Sequence, residues 1–80
     1  MVKLSYEEKQ YITRILEDHT RGKKTRWVNI YDEGLSKSQI HNITKKFTRL
    51  GYVKKDYSIN TEKIPEITGL LQQTLHDEQK

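Results

Sequence analysis

The chain has no cysteine, one proline, one tryptophan and four isolated glycines among its 80 residues, and no long apolar run. Without cysteine it has neither a disulfide framework nor a thiolate metal site, which suits a reducing compartment. Without a membrane-length apolar stretch or a signal-peptide h-region, the expected location is cytoplasmic and away from membranes. The histidines, His19, His41 and His76, are scattered, and none has an H-x-x-x-H partner. No glycine-rich loop cradles a phosphate. Asp32-Glu33 is an acidic pair with no second cluster to complete a metal site. Five scattered tyrosines in so small a domain read as packing. The expectation is a protein that is not an enzyme and needs no cofactor or metal.

Apolar residues make up only 32% of the chain. A single domain over 1–80 near the lower size limit therefore has a thin core, and most of its apolar stripes are needed to build it. Charge is what the sequence has in quantity, and it is segregated. Residues 1–19 hold three cations and four acids, a net of −1; residues 20–57 hold ten against three, a net of +7; residues 58–80 hold two against four, a net of −2. A concentrated positive middle favours polyanions through phosphate neutralisation and counterion release. The plainer reading, a solvated lysine-rich surface, predicts interspersed charge.

Ser5-Tyr-Glu-Glu8 has capping-box spacing, and Tyr11, Ile12, Ile15, Leu16 and His19 share one face, so a first helix is predicted over about 5–19. His19 is placed to cap the terminal carbonyls. Thr20 to Thr25, TRGKKT, is a break: either a solvated loop, or one gripping a phosphate backbone with Lys23, Lys24 and the following Arg26. Trp27, Ile30 and Tyr31 predict a short second helix over about 26–33, with Thr25 as N-cap and Gly34 as stop. Arg26 to Asn29 also reads as a small strand. Trp27 is expected in the core, the alternative being a base-stacking platform.

Ser36 to Gly51, SKSQIHNITKKFTRLG, carries the strongest pattern. Ser36 and Gln39 form a second capping box, Ile40, Ile43, Phe47 and Leu50 form one stripe, and Gly51 follows where a helix end favours positive φ. A helix over about 37–50 is predicted. Opposite its stripe lie Ser38, His41, Asn42, Lys45 and Arg49, with no acid and no apolar side chain among them. Such a face suits a DNA major groove. The short Gly34-Leu35-Ser36 link gives the two helices a helix-turn-helix form. Beyond Gly51, residues 52–60 predict a small β-hairpin turning near Lys55-Asp56, pairing Val53 with Ser58 and Tyr52 with Ile59. Pro65 opens a last helix over about 65–77, led in by Thr61 or Lys63.

This order of elements resembles the winged helix-turn-helix family, most closely over Leu35 to Asp56, LSKSQIHNITKKFTRLGYVKKD. That run looks like the one in MarR-, ArsR- and PadR-type regulators, where a serine-rich turn opens the recognition helix and a Leu-Gly-aromatic-Val step enters the wing. The resemblance implies a mainly α fold with a small β-hairpin: three helices, a wing and a C-terminal helix. It also implies sequence-specific binding of double-stranded DNA by a small transcription regulator. Lys37, Ser38, His41, Asn42 and Lys45 would then face bases, while Lys46, Arg49, Lys54 and Lys55 would meet phosphates. In this family a C-terminal helix often forms a two-fold interface, which here would be a homodimer through Ile64, Ile67, Leu70, Leu71 and Leu75. The chain has no room for the effector pocket of larger regulators, so no small-molecule effector is expected. The alternatives are a protein-interaction module of the same fold, or an accessory DNA binder in plasmid or phage replication.

Overall fold

In the computed structural model residues 4–78 are described, with side chains as far as Gln72. The elements run α1 (Tyr6–Thr20), α2 (Trp27–Tyr31), α3 (Lys37–Leu50), a 3₁₀ turn (Thr61–Lys63) and α4 (Ile64–Glu78). Helices α1 and α3 begin as their capping boxes require. The Glu8 amide donates to Ser5 Oγ at 3.2 Å and the Ser5 amide to Glu8 Oε1 at 2.8 Å. Ser36 and Gln39 repeat this at 2.9 and 3.1 Å. Two otherwise orphaned N–H donors are satisfied at each start, which fixes the helix register locally.

The end of α3 is equally definite. Gly51 adopts φ 82°, a conformation that costs glycine little. Its amide donates to Thr48 O at 3.1 Å and that of Tyr52 to Phe47 O at 2.9 Å. This pair is the Schellman closure, with its usual apolar contact supplied by the Phe47 and Tyr52 rings, 5.7 Å apart. At the end of α1, the carbonyls of Glu17, Asp18 and His19 accept from the backbone amides of Arg21, Lys23 and Gly22. The cap predicted from the His19 side chain is therefore not made, because the chain's own turn supplies the donors.

The first three helices pack on one another around a common core. Tyr11, Ile12 and Ile15 of α1 meet Ile30 of α2 and Ile40, Ile43 and Phe47 of α3, with Leu4 and Leu35 closing the corners. Ile67 brings α4 onto the same core at 1% exposure, with Ile64, Leu70 and Leu71 packed beside it. The Leu75 side chain lies outside those described.

The predicted β-hairpin is overturned. Among the described residues there is no strand, and residues 52–60 form one isolated antiparallel bridge, Val53 with Ile59. The expected register is also off by one residue. The Tyr57 amide donates to Lys54 O at 3.0 Å, and Tyr57 itself takes φ 67°. The turn thus spends three residues, Lys55 to Tyr57, where two were expected. That extra residue sets Val53 opposite Ile59, so two apolar side chains, 3% and 6% exposed, share one buried site. A one-residue slip would send one of them to solvent. The ladder stops after one bridge because the 3₁₀ turn starts at once. Asn60 begins it, accepting from the Glu62 amide at 3.2 Å while its Nδ2 donates to Gly51 O at 2.7 Å. Pro65 sits in the first turn of α4, one residue after its start.

Three apolar or capping expectations fail at α2 and α3. Trp27 is 42% exposed. A helix of five residues presents one side chain inward, and here that is Ile30, at 0%. Thr25 does not cap α2, whose first turn is capped instead by Asn29 Oδ1 accepting from the Arg26 amide at 3.0 Å. Thr25 is buried, and its hydroxyl donates to Asp18 Oδ2 at 2.7 Å. Leu50, in the last turn of α3, is 39% exposed, so the inward stripe ends at Phe47.

Asp18, at 3% exposure, is the buried charge that joins α1 to the loop before α2. Burial works to raise its pKa, but the Thr25 hydroxyl and the Arg14 guanidinium outweigh it and hold the carboxyl below its ordinary 3.8. Glu8 behaves alike: burial opposes ionisation, and Lys46 with the Ser5 cap overcomes it, holding the group below 4.5. A depressed folded pKa contributes stability above the unfolded value and loses it as pH falls through the folded one. The urea midpoint should therefore fall on acidification from pH 4.5 downward, and Asp18→Asn should flatten that dependence. Thr25→Val should cost about 1–3 kcal/mol at neutral pH in urea unfolding, because it leaves a buried carboxylate short of a donor.

Candidate nucleic-acid interface

The outward face of α3 is set by what holds its inward face. Phe47, fully buried, meets Tyr11 edge-on at 5.6 Å and 67°. The Thr44 hydroxyl donates to Ile40 O at 2.7 Å, so its contact of 2.7 Å with Tyr11 Oη has the phenol as donor. Burial pushes the Tyr11 pKa up to about 12, which keeps that proton in place. With these residues locked inward, the 3.6-residue repeat sends Lys37, Ser38, His41, Asn42, Lys45 and Arg49 outward, and all six are exposed. Among the described residues, Ser38, His41, Asn42, Lys45 and Arg49 make no side-chain hydrogen bond or ion pair, and the face carries no acid.

The other cations predicted to contact DNA divide into two groups. Lys23, Arg26, Lys54 and Lys55 are exposed. Lys55 reaches α3 from the turn after it, lining a recess of about 310 Å³ with His41, Lys45 and Arg49. Lys24 is exposed and pairs with Asp56 at 3.6 Å, which ties the TRGKKT loop to the turn tip. Lys46 differs from the rest. Its Nζ lies 2.5 Å from Glu8 Oε2, and it is half-buried on the flank facing α1. The sequence pattern hid this pairing because Glu8 lies far off in the chain and was already accounted for as a helix cap.

The two flanks of α3 are therefore electrostatically unlike. Toward α1, Asn42 and Lys46 border a recess that also holds Glu7 and Glu8. Toward the turn, His41, Lys45 and Arg49 meet Lys55 with no acid lining the recess. Two aromatic residues join this second flank without having been predicted there. Trp27 and Tyr57 line one cleft with Lys37 and His41. Trp27 carried a sequence signal, since its stacking role was the alternative to burial. Tyr57 carried none, because its position depends on the three-residue turn. Among the described residues there is no group of acids and histidines able to hold a metal ion, and no helix long and apolar enough to cross a membrane.

In comparisons with known proteins the chain matches no family model, no curated protein and no solved structure.

The contrast between neighbouring lysines is measurable. Lys46→Ala should lower stability by up to about 1 kcal/mol, a partly exposed pair being well screened, and the loss should vanish in a Glu8→Ala background. Lys45→Ala should stay within about 0.5 kcal/mol of the parent protein in urea unfolding.

Proposed function

We propose that this protein binds double-stranded DNA sequence-specifically, with α3 in the major groove, and acts as a small transcription regulator. The observation that carries the reading is the outward face of α3, whose exposed hydrogen-bonding and cationic side chains include no acid and, Lys37 over Trp27 apart, are not used by the fold. At 1.5 Å per residue, the fourteen residues of α3 span about 21 Å, enough to follow a groove over several base pairs. Lys37, Ser38, His41, Asn42 and Lys45 are assigned to base edges, Asn42 suiting adenine and the lysines guanine N7 and O6. Arg49, Lys54 and Lys55 are assigned to phosphate, together with Lys23, Lys24 and Arg26 of the neighbouring loop, which the Lys24–Asp56 pair holds against the turn. Lys46 is withdrawn from this set, since Glu8 already holds it.

Helix α2, the short link and α3 follow one another in the order of a helix-turn-helix and pack together, which supports the reading. Of the residues expected in a homodimer through α4, Ile67 is fully committed inward and Ile64, Leu70 and Leu71 are partly buried, while Leu75 lies outside the described side chains. The protein-interaction alternative has its apolar surface on α2, where Trp27, Val28 and Tyr31 are exposed, and would leave the cations of α3 without a role.

In gel shifts against genomic fragments, affinity should fall steeply with salt, by several log–log units if about five to eight phosphates are neutralised. Asn42→Ala should relax base preference at one position at a cost of about 1–3 kcal/mol, whereas Lys55→Ala should weaken all duplexes alike and lower the salt slope by about one. Absence of any duplex binding at low salt would overturn the proposal.

A further inference from the structure

The cleft between Trp27 and Tyr57 has features that groove reading does not call for. It measures about 300 Å³ and is lined by Trp27, Lys37, Ile40, His41, Thr44 and Tyr57, with no acid. Two aromatic side chains from distant parts of the chain contribute to its wall. Trp27 is 42% exposed in a protein with few apolar residues to spare, and it is held in place from two sides. Tyr31 meets it edge-on at 5.7 Å and 75°, and Lys37 Nζ lies 5.7 Å from its ring centroid. Tyr57 reaches the cleft from a left-handed backbone at φ 67°, the one non-glycine residue with positive φ among those described. A bulky residue adopts that conformation at a cost, and such outliers concentrate at functional sites. The cleft also runs on: His41 and Thr44 belong both to it and to the cationic recess of Lys45, Arg49 and Lys55.

An aromatic slot that opens into a cationic track matches a nucleobase still attached to its phosphate chain. A π face accepts any base, and the flanking cations take the backbone. We infer that the Trp27–Tyr57 cleft takes up one unpaired nucleobase of DNA, so that the protein prefers a duplex containing an unpaired base over a continuous one. The inference rests on the DNA-binding reading of α3 and adds the kind of DNA site it selects. Lys37, Ile40, His41 and Thr44 complete the lining around the two rings.

The protein carries its own reporter, since Trp27 is its only tryptophan. Its fluorescence is titrated with a 20-base-pair duplex, with the same duplex carrying a one-nucleotide bulge, and with a free deoxynucleoside monophosphate. Affinity for each labelled duplex is followed in parallel by anisotropy. The bulged duplex is expected to quench Trp27 and to bind about tenfold tighter than the paired one, the size of one base–aromatic stack. Trp27→Ala should bring that ratio to about one while leaving paired-duplex binding in place. Tyr57→Asn should do the same, and because asparagine accepts the left-handed backbone it removes the ring without straining the turn. Equal affinity for the two duplexes, or a bulge preference that survives both substitutions, overturns the cleft and leaves the duplex reading standing. Failure of both duplexes to bind overturns the duplex reading, and this inference with it. Saturating quenching by the free nucleotide at concentrations where the bulge gives none overturns DNA as the source of the base.

Discussion

Everything α3 presents to solvent depends on how Phe47 is held. Its ring has no exposure and lies between Tyr11 of α1 and Tyr52 just after Gly51, at 5.6 and 5.7 Å. One contact fixes the rotation of α3 against α1, and the other fixes where the chain leaves the helix. Edge-on and tilted aromatic pairs have a preferred geometry that aliphatic contacts lack. With a core this thin, direction has to come from such contacts. The Tyr11 phenol strengthens the arrangement by donating to Thr44, one turn before Phe47.

The parts of the fold legible in the sequence are those decided within a few residues. One capping box and a Schellman glycine state the bounds of α3 in local chemistry, and the predicted 37–50 is the observed Lys37–Leu50. The parts that were not legible are settled at a distance. Whether Thr25 caps α2 or turns inward depends on Asp18, seven residues back, needing a donor. Whether residues 52–60 become a hairpin depends on a third turn residue and on Asn60 leaving at once for the 3₁₀ turn. Alternation of β-branched and aromatic residues describes a segment that fits a pleated surface, and it does not say how long the pairing lasts.

The candidate interface divides along the same line. Ser38, His41, Asn42, Lys45 and Arg49 could be placed outward because a helical period and an apolar stripe leave no other direction. Lys46 shares their composition and lies between Lys45 and Phe47, yet it answers to Glu8. Trp27 was expected inside because a lone tryptophan in a small protein usually is; a one-turn helix has room inward for Ile30 alone.

The capping box of α3 carries a further consequence. Because Ser36 and Gln39 set the start of α3 and Ile40, Ile43 and Phe47 seat it, the outward Ser38, His41, Asn42, Lys45 and Arg49 take no part in keeping the helix where it is. Outward surface and architecture are encoded by separate letters of the same short stretch. Substitutions along that face can change what the surface presents while the scaffold stays as it was, so the face can drift in evolution faster than the fold.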